Sequence, residues 1–283
     1  MVMWSWLLLG CGSGSEDPSL IDSLQIVGIV ANPPEVVARD QMEVTLAIAD
    51  PVGTGAEVLV ASCLLFESRC VEEVLANPSE WLSVAALDPG ETSLTIPRSV
   101  PSELDEVFDV FNQEQVSVRL AGLACAPSRC PIIDEVRDAL DAGVVPTSLA
   151  LDIARPERWM VDLPIEGVSL TSRSLVFVRT RDSSSNRNPT YEARFPERDD
   201  LVIEIPAGGE QELAFYVEDS GSSTIYAYAY TTLGRFESRR ERVRDQAVRH
   251  YLLADTPGEG HIYIVFEDGD GGSAIWQRPL RVL

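Results

Sequence analysis

The chain has 283 residues, 45% of them hydrophobic, and a formal net charge of −23 from 45 acidic against 22 basic side chains. That length admits two domains, and the hydrophobic content is ordinary for a folded protein. The charge excludes nucleic acid as a partner, because displacing phosphate counterions needs clustered positive charge, and it opposes docking on anionic headgroups. Solubility is the default use of such acidity.

The chain opens on an apolar stretch, Met1–Leu9, closed by Leu8-Leu9-Gly10-Cys11. This tetrad resembles a bacterial lipobox, in which the Cys11 thiol is acylated and the preceding peptide removed. No basic residue precedes Arg39 and the chain has no Lys, so the positive n-region of a signal peptide is missing. Either the start lies inside a longer signal peptide, or the lipobox is accidental and Cys11 an ordinary thiol; the small residues and spacer favour the first, with 1–11 a signal remnant and 12–22 a flexible linker. Gly12-Ser13-Gly14-Ser15-Glu16-Asp17-Pro18 has the composition of such a spacer. A spanning helix needs about 20 apolar residues and no such run exists, whereas multiple acyl chains on Cys11 anchor stably. The expected address is an exported outer-membrane lipoprotein facing the periplasm or cell surface.

From Leu24 onward the signals are those of strands. Leu24, Ile26, Gly28 and Val30 alternate with Gln25, Val27 and Ile29 until Asn32-Pro33-Pro34-Glu35 breaks the run. Met42, Val44, Leu46 and Ile48 repeat the period of two, and Ala56–Phe66 reads as a further apolar strand after the Asp50–Gly55 turn. Shorter strands follow at Ser93–Ile96 and Val116–Cys125. Ser102 caps a predicted helical turn with Leu104, Val107, Phe108 and Phe111 inward, and Pro131–Leu140 reads as a helix burying Ile132, Ile133, Val136 and Leu140. The polar stretch from Arg181 to Pro189 marks a boundary. The expected fold is mainly β: an Ig-like β domain with short helical insertions over 23–181, a linker over 182–189, and an Ig-like antiparallel β-sandwich domain over 190–283. In the second, strands are expected at Leu201–Ile205, Glu210–Glu218, Ser223–Thr231, Arg249–Leu253, Gly260–Asp268 and Ala274–Val282. Asp268-Gly269-Asp270-Gly271-Gly272 forms the last hairpin turn.

Besides Cys11 there are four cysteines, Cys63, Cys70, Cys125 and Cys130. An even number in an exported chain suggests two disulfides, and four cysteines allow three pairings. The spacings favour local staples, Cys63 to Cys70 and Cys125 to Cys130; the crossed alternative joins Cys63 to Cys125. Neither spacing is the Cys-x-x-Cys of a zinc knuckle and no His lies nearby, so no metal is expected there.

Several segments together resemble a family of myxobacterial-type lipoproteins with Ig-like β-sandwich domains. Val27–Val36 resembles their first strand and its Pro-Pro-Glu turn, and Asn186-Arg187-Asn188-Pro189 the start of their second domain. Tyr226–Phe236 resembles an aromatic strand ending at a Gly, and Val265–Ile275 their final hairpin. The resemblance implies envelope exposure and supports architecture more than activity.

Catalysis is not expected. His250 and His261 stand alone in predicted strands, no phosphate loop can end in Lys, and no Gly-x-Ser-x-Gly elbow lies outside the spacer. The acidic pairs Glu72/Glu73 and Asp199/Asp200 read as solvated. Glu267, Asp268 and Asp270 supply oxygens of the kind Ca²⁺ prefers, but lack the other positions of an EF-hand loop and read as a turn. No cofactor is expected. Tyr226, Tyr228 and Tyr230 share one face of a strand opposite Ile225, Ala227 and Ala229, a pattern that serves either a sandwich core or a partner. Arg235, Arg239, Arg240, Arg242, Arg244 and Arg249 concentrate positive charge, for pairing with neighbouring carboxylates or for an acidic partner. The expected function is a lipid-anchored, non-catalytic binding or structural module of the cell envelope. Tyr226, Tyr228, Tyr230, Arg239 and Arg240 are its candidate contacts with an envelope protein or polysaccharide. The alternative is a carbohydrate-binding accessory module of an envelope hydrolase system.

Overall fold

A computed structural model describes residues 18–37, 41–64, 67–99, 108–109, 114–155, 159, 167–178, 186–195, 202–218 and 224–283, with the side chains of 63, 64, 67–69, 99 and 173–177 outside that description. The Leu8–Cys11 motif, most of the spacer, the Ser102 turn apart from Phe108 and Asp109, and residues 182–185 of the expected linker lie outside the described residues.

In the N-terminal half, β1 (Gln25–Asn32), β3 (Gln41–Ala49) and β6 (Ser93–Ser99) make one sheet in the order β1-β3-β6. The facing sheet runs β2-β8-β7-β4-β5, from β2 (Glu35–Val37), β4 (Ala56–Leu64), β5 (Leu82–Leu87), β7 (Gln115–Cys125) and β8 (Val168–Val178). The C-terminal half repeats the plan. Strands β9 (Thr190–Phe195), β11 (Gly209–Glu218), β13 (Arg235–Phe236) and β15 (Ala247–Ala254) form the sheet β13-β15-β11-β9. Strands β10 (Ile203–Ile205), β12 (Tyr226–Thr231), β14 (Arg240–Arg242), β16 (Gly258–Glu267) and β17 (Ser273–Val282) form β10-β17-β16-β12-β14.

In both halves the opening strand pairs with one sheet, and the next short strand crosses to pair in parallel with the last strand of the other, β2 on β8 and β10 on β17. The other ladders are antiparallel. In immunoglobulin lettering these are A-B-E and A′-G-F-C-C′ layers, with β13 added at the E edge of the C-terminal half, so the mainly β, Ig-like sandwich fold is present. The two parallel edges qualify the expectation of antiparallel sheets alone.

Among the described residues, helices lie in the β4–β5 and β7–β8 connections, and Phe108 and Asp109 between β6 and β7 are also helical. Of the apolar run at Ala56–Phe66, β4 takes Ala56–Leu64; α1 (Glu67–Ala76) and α2 (Pro78–Trp81) come before β5. Between β7 and β8 come α3 (Pro131–Ala142) and α4 (Thr147–Ile153). Helix α3 begins with Pro131 in its first turn and ends at Gly143, whose φ of 68° is left-handed and favours glycine. It buries Ile133, Val136 and Ala139 against the β4–β5 side of the sandwich.

Each half has its own apolar core, Ile26, Leu46, Leu59 and Leu123 among the residues of the first and Leu213, Phe215, Phe266 and Trp276 of the second. A third cluster joins them: Ile21, Val27, Ala47 and Ala49 meet Tyr230, Tyr263 and Val265. A β-bulge between Ile26 and Gly28 creates this division. By extending β1 by one residue, it sends Ile26 and Ile29 into the first core and Val27 to the seam. The simple alternation read from Leu24 to Val30 is thereby corrected: Ile29, not Val30, is the buried residue of that pair.

Candidate functional site

The tyrosine row lies on β12. Ala227 and Ala229 face the second core, so Tyr226, Tyr228 and Tyr230 project from the opposite, outer face. They therefore do not form half of their own sandwich core. Small alanines inward let the facing sheets close, and large tyrosines outward cover the sheet. Across the ladder, Tyr230 lies opposite Tyr263, Tyr228 opposite Val265, and Tyr226 opposite Glu267. The outer face thus grades from apolar to polar along the strand.

The apolar end is covered. Tyr230 is 8% exposed and Tyr263 fully buried against β1 and β3. The Tyr263 hydroxyl donates to the Ile48 carbonyl at 3.3 Å, and burial raises its pKa above the ordinary tyrosine value. The Ser273 hydroxyl donates to the Ile29 carbonyl at 3.0 Å, and Asn188 bridges the halves by donating to the Ala31 carbonyl at 2.8 Å while accepting from the Ser273 amide at 2.9 Å. Asn188, placed by composition in a linker, is therefore fixed at the seam. So is the end of the expected 12–22 spacer: the Ile21 amide donates to the Thr231 carbonyl and the Thr231 amide to the Ser19 carbonyl.

The polar end carries arginines. On β14, Arg240 lies opposite Tyr228 and Arg242 opposite Tyr226, which puts all four on the outer face. The Arg240 guanidinium stands 3.8 Å from the Tyr226 ring centroid and 5.5 Å from that of Tyr228. Arg239 lies 4.8 Å over Tyr230 and donates to its hydroxyl at 2.9 Å. Burial raises the Tyr228 pKa, Glu267 adds to the shift, and Arg240 opposes it. Arg242 donates to the Thr224 hydroxyl at 3.3 Å.

Carboxylate pairing of the arginine cluster holds for two of its members, Arg235 with Asp255 at 3.5 Å and Arg249 with Glu212 at 3.2 Å. Arg239 and Arg240 use tyrosine rings instead. Stacking restrains a guanidinium while leaving its in-plane N–H groups open to an anion.

The remaining candidates take part in local packing and bonding. Cys125 and Cys130 form a disulfide that closes the turn into α3, which removes the crossed Cys63–Cys125 pairing. Cys70 is disulfide-bonded and buried, while the side chain of Cys63 lies outside the described residues. His250 faces the second core at 2% exposure, with Nδ1 3.3 Å from the Ser238 carbonyl and no partner for Nε2. Burial lowers its pKa, against smaller upward effects of the Ser238 carbonyl and Glu241. The ring of His261 packs 6.3 Å from Tyr263 and its pKa is also lowered by burial. Asp268 uses Oδ1 to accept the amides of Asp270 at 2.9 Å and Gly272 at 2.7 Å, so one carboxylate oxygen holds the turn itself. Among the described residues no three His, Cys, Asp or Glu side chains gather as a metal site.

Arg98 was not picked out from sequence. At 4% exposure on β6, it donates to the Ser83 hydroxyl at 2.7 Å, the Ser62 hydroxyl at 3.1 Å and the Glu80 carbonyl at 2.9 Å. Desolvation lowers its pKa to about 10. The available signal was parity, since Arg98 shares a face with Leu94 and Ile96.

No protein-family model and no curated protein matches the chain. Among solved structures it aligns with the fibronectin(III)-like modules of Clostridium thermocellum CbhA at 9% identity and a TM-score of 0.28, over 92% of this chain and 93% of that one. It aligns with red sea bream transglutaminase at 9% identity and a TM-score of 0.28, over 93% of this chain and 32% of that one. Domains 4 and 5 of the S-layer protein SbsC align at 8% identity and a TM-score of 0.23, over 41% of this chain and 63% of that one. The sheets themselves define the fold.

Proposed function

We propose that this chain is a lipid-anchored, exported module of the cell envelope that binds a partner and performs no catalysis. The observation that carries the binding role is the exposed arginine pair Arg240 and Arg242, held beside tyrosines on an otherwise acidic molecule. The Cys125–Cys130 disulfide suits an oxidising compartment, and the Leu8-Leu9-Gly10-Cys11 motif supplies the anchor. The carbohydrate alternative needs open tyrosine faces for stacking. Tyr226 and Tyr230 lie under guanidinium groups, so arginine is what a partner meets first.

Expressed behind a functional signal peptide, the protein should partition into detergent and incorporate fatty acid, and Cys11→Ser should move it to the aqueous phase. A Cys11→Ser variant that stays with the membrane, beside a parent carrying no fatty acid, contradicts the anchor.

A further inference from the structure

We propose that the outer edge of β14 binds an extended acidic segment of a partner protein as an added strand, with carboxylates two residues apart seated on Arg240 and Arg242. This rests on the reading of the chain as a binding module and names its ligand.

The backbone supplies the first part of the argument. The Val243 amide donates to the Ile225 carbonyl at 3.0 Å and the Ala229 amide to the Arg239 carbonyl at 2.8 Å, so the odd-numbered residues of this segment bond toward β12. In an antiparallel ladder the alternate residues then point their N–H and C=O groups away from the partner strand. These are Arg240 and Arg242. Strand β14 ends its sheet, and among the described residues no strand pairs with its far side. The Arg240 carbonyl takes a hydrogen bond from the Ser238 hydroxyl at 3.1 Å. The amides of Arg240 and Arg242 and the Arg242 carbonyl remain directed outward.

Side chains supply the second part. Residues two apart on a strand lie about 7 Å apart on one face, and so do alternate residues of an added strand. An incoming chain with acidic residues at every second position places them directly across from Arg240 and Arg242, in the cross-strand relation that favours opposite charges. Tyr226 restrains the Arg240 guanidinium before the partner arrives, which lowers the ordering cost of binding. Edge addition draws affinity from main-chain hydrogen bonds and specificity from alternate side chains. Basic side chains usually guard an edge against such pairing, and here they select for acid.

The test uses the full chain carrying Cys11→Ser and a fluorescent peptide of alternating threonine and glutamate. Three results are expected. The peptide binds at low salt about tenfold more tightly than its threonine–glutamine counterpart, as charge pairing at a partly exposed edge requires. Arg240→Glu and Arg242→Gln each weaken binding, while Arg249→Glu, on the opposite sheet, does not. Binding slows amide exchange at Arg240 and Arg242, the signature of strand addition. Absence of binding, equal binding of the glutamine peptide, or retention in both β14 variants overturns the proposal. Preferential binding of polygalacturonate without amide protection also overturns it, in favour of a polysaccharide ligand. None of these outcomes touches the lipid anchor, which the detergent experiment tests separately.

Discussion

His250 shows how one side chain makes the second sandwich sensitive to acid. Its imidazole faces the core beside Phe236, with one ring nitrogen lacking a partner. Because burial lowers its pKa, the unfolded chain takes up a proton before the folded one does. Above the ordinary histidine value of about 6.5 both states are neutral and nothing is lost; below it stability falls with pH. His261 acts in the same direction. Urea unfolding of wild type and His250→Leu at pH 7.5 and 5.0 isolates the contribution, since the carboxylates are common to both. The variant should lose less stability on acidification; an equal loss in both would contradict the buried neutral imidazole. The position was legible in part, because His250 shares parity with Val248 and Leu252. Its depth was not, since parity names a face and not what covers it.

At the scale of elements, Arg98 ties β6 to β4, β5 and the end of α2. Replacing it by alanine removes three hydrogen bonds and leaves a space, and should cost about 2–4 kcal/mol. Chemical denaturation checks this, and a change below about 1 kcal/mol would show that the helical insertion does not depend on Arg98. Strands whose alternation is strict, such as β11 and β15, were readable in sequence because one face meets a core and the other is more open to water. Helix α1 was hidden behind the run Cys63-Leu64-Leu65-Phe66, where a strand's apolar end and a helix approach have the same composition. The short strands β2, β13 and β14 were missed for another reason: they are fixed by their ladder partners rather than by a pattern of their own.

At the scale of the molecule, the outer tyrosine face is divided between two uses. Its Tyr230 end closes the seam with the N-terminal sandwich, and its Tyr226 end presents the arginines. The tyrosine row itself was plain in sequence, but apolar alternation looks the same whether the cover is a core, a second sandwich or a partner. The seam is close-packed at Gly28, where an added Cβ would lie 3.2 Å from the Ile275 side chain and 3.3 Å from Val265. A larger residue there must push the sandwiches apart or distort β1.

Hydroxyl-radical footprinting of the tyrosines, read by mass spectrometry in wild type and Gly28→Leu, tests this seam directly. In wild type Tyr230 and Tyr263 should be protected and Tyr191 labelled, and Gly28→Leu should raise labelling of Tyr230 and Tyr263 together. Labelling of Tyr230 and Tyr263 in wild type to the level of Tyr191 would contradict the docking of the two sandwiches through the tyrosine face.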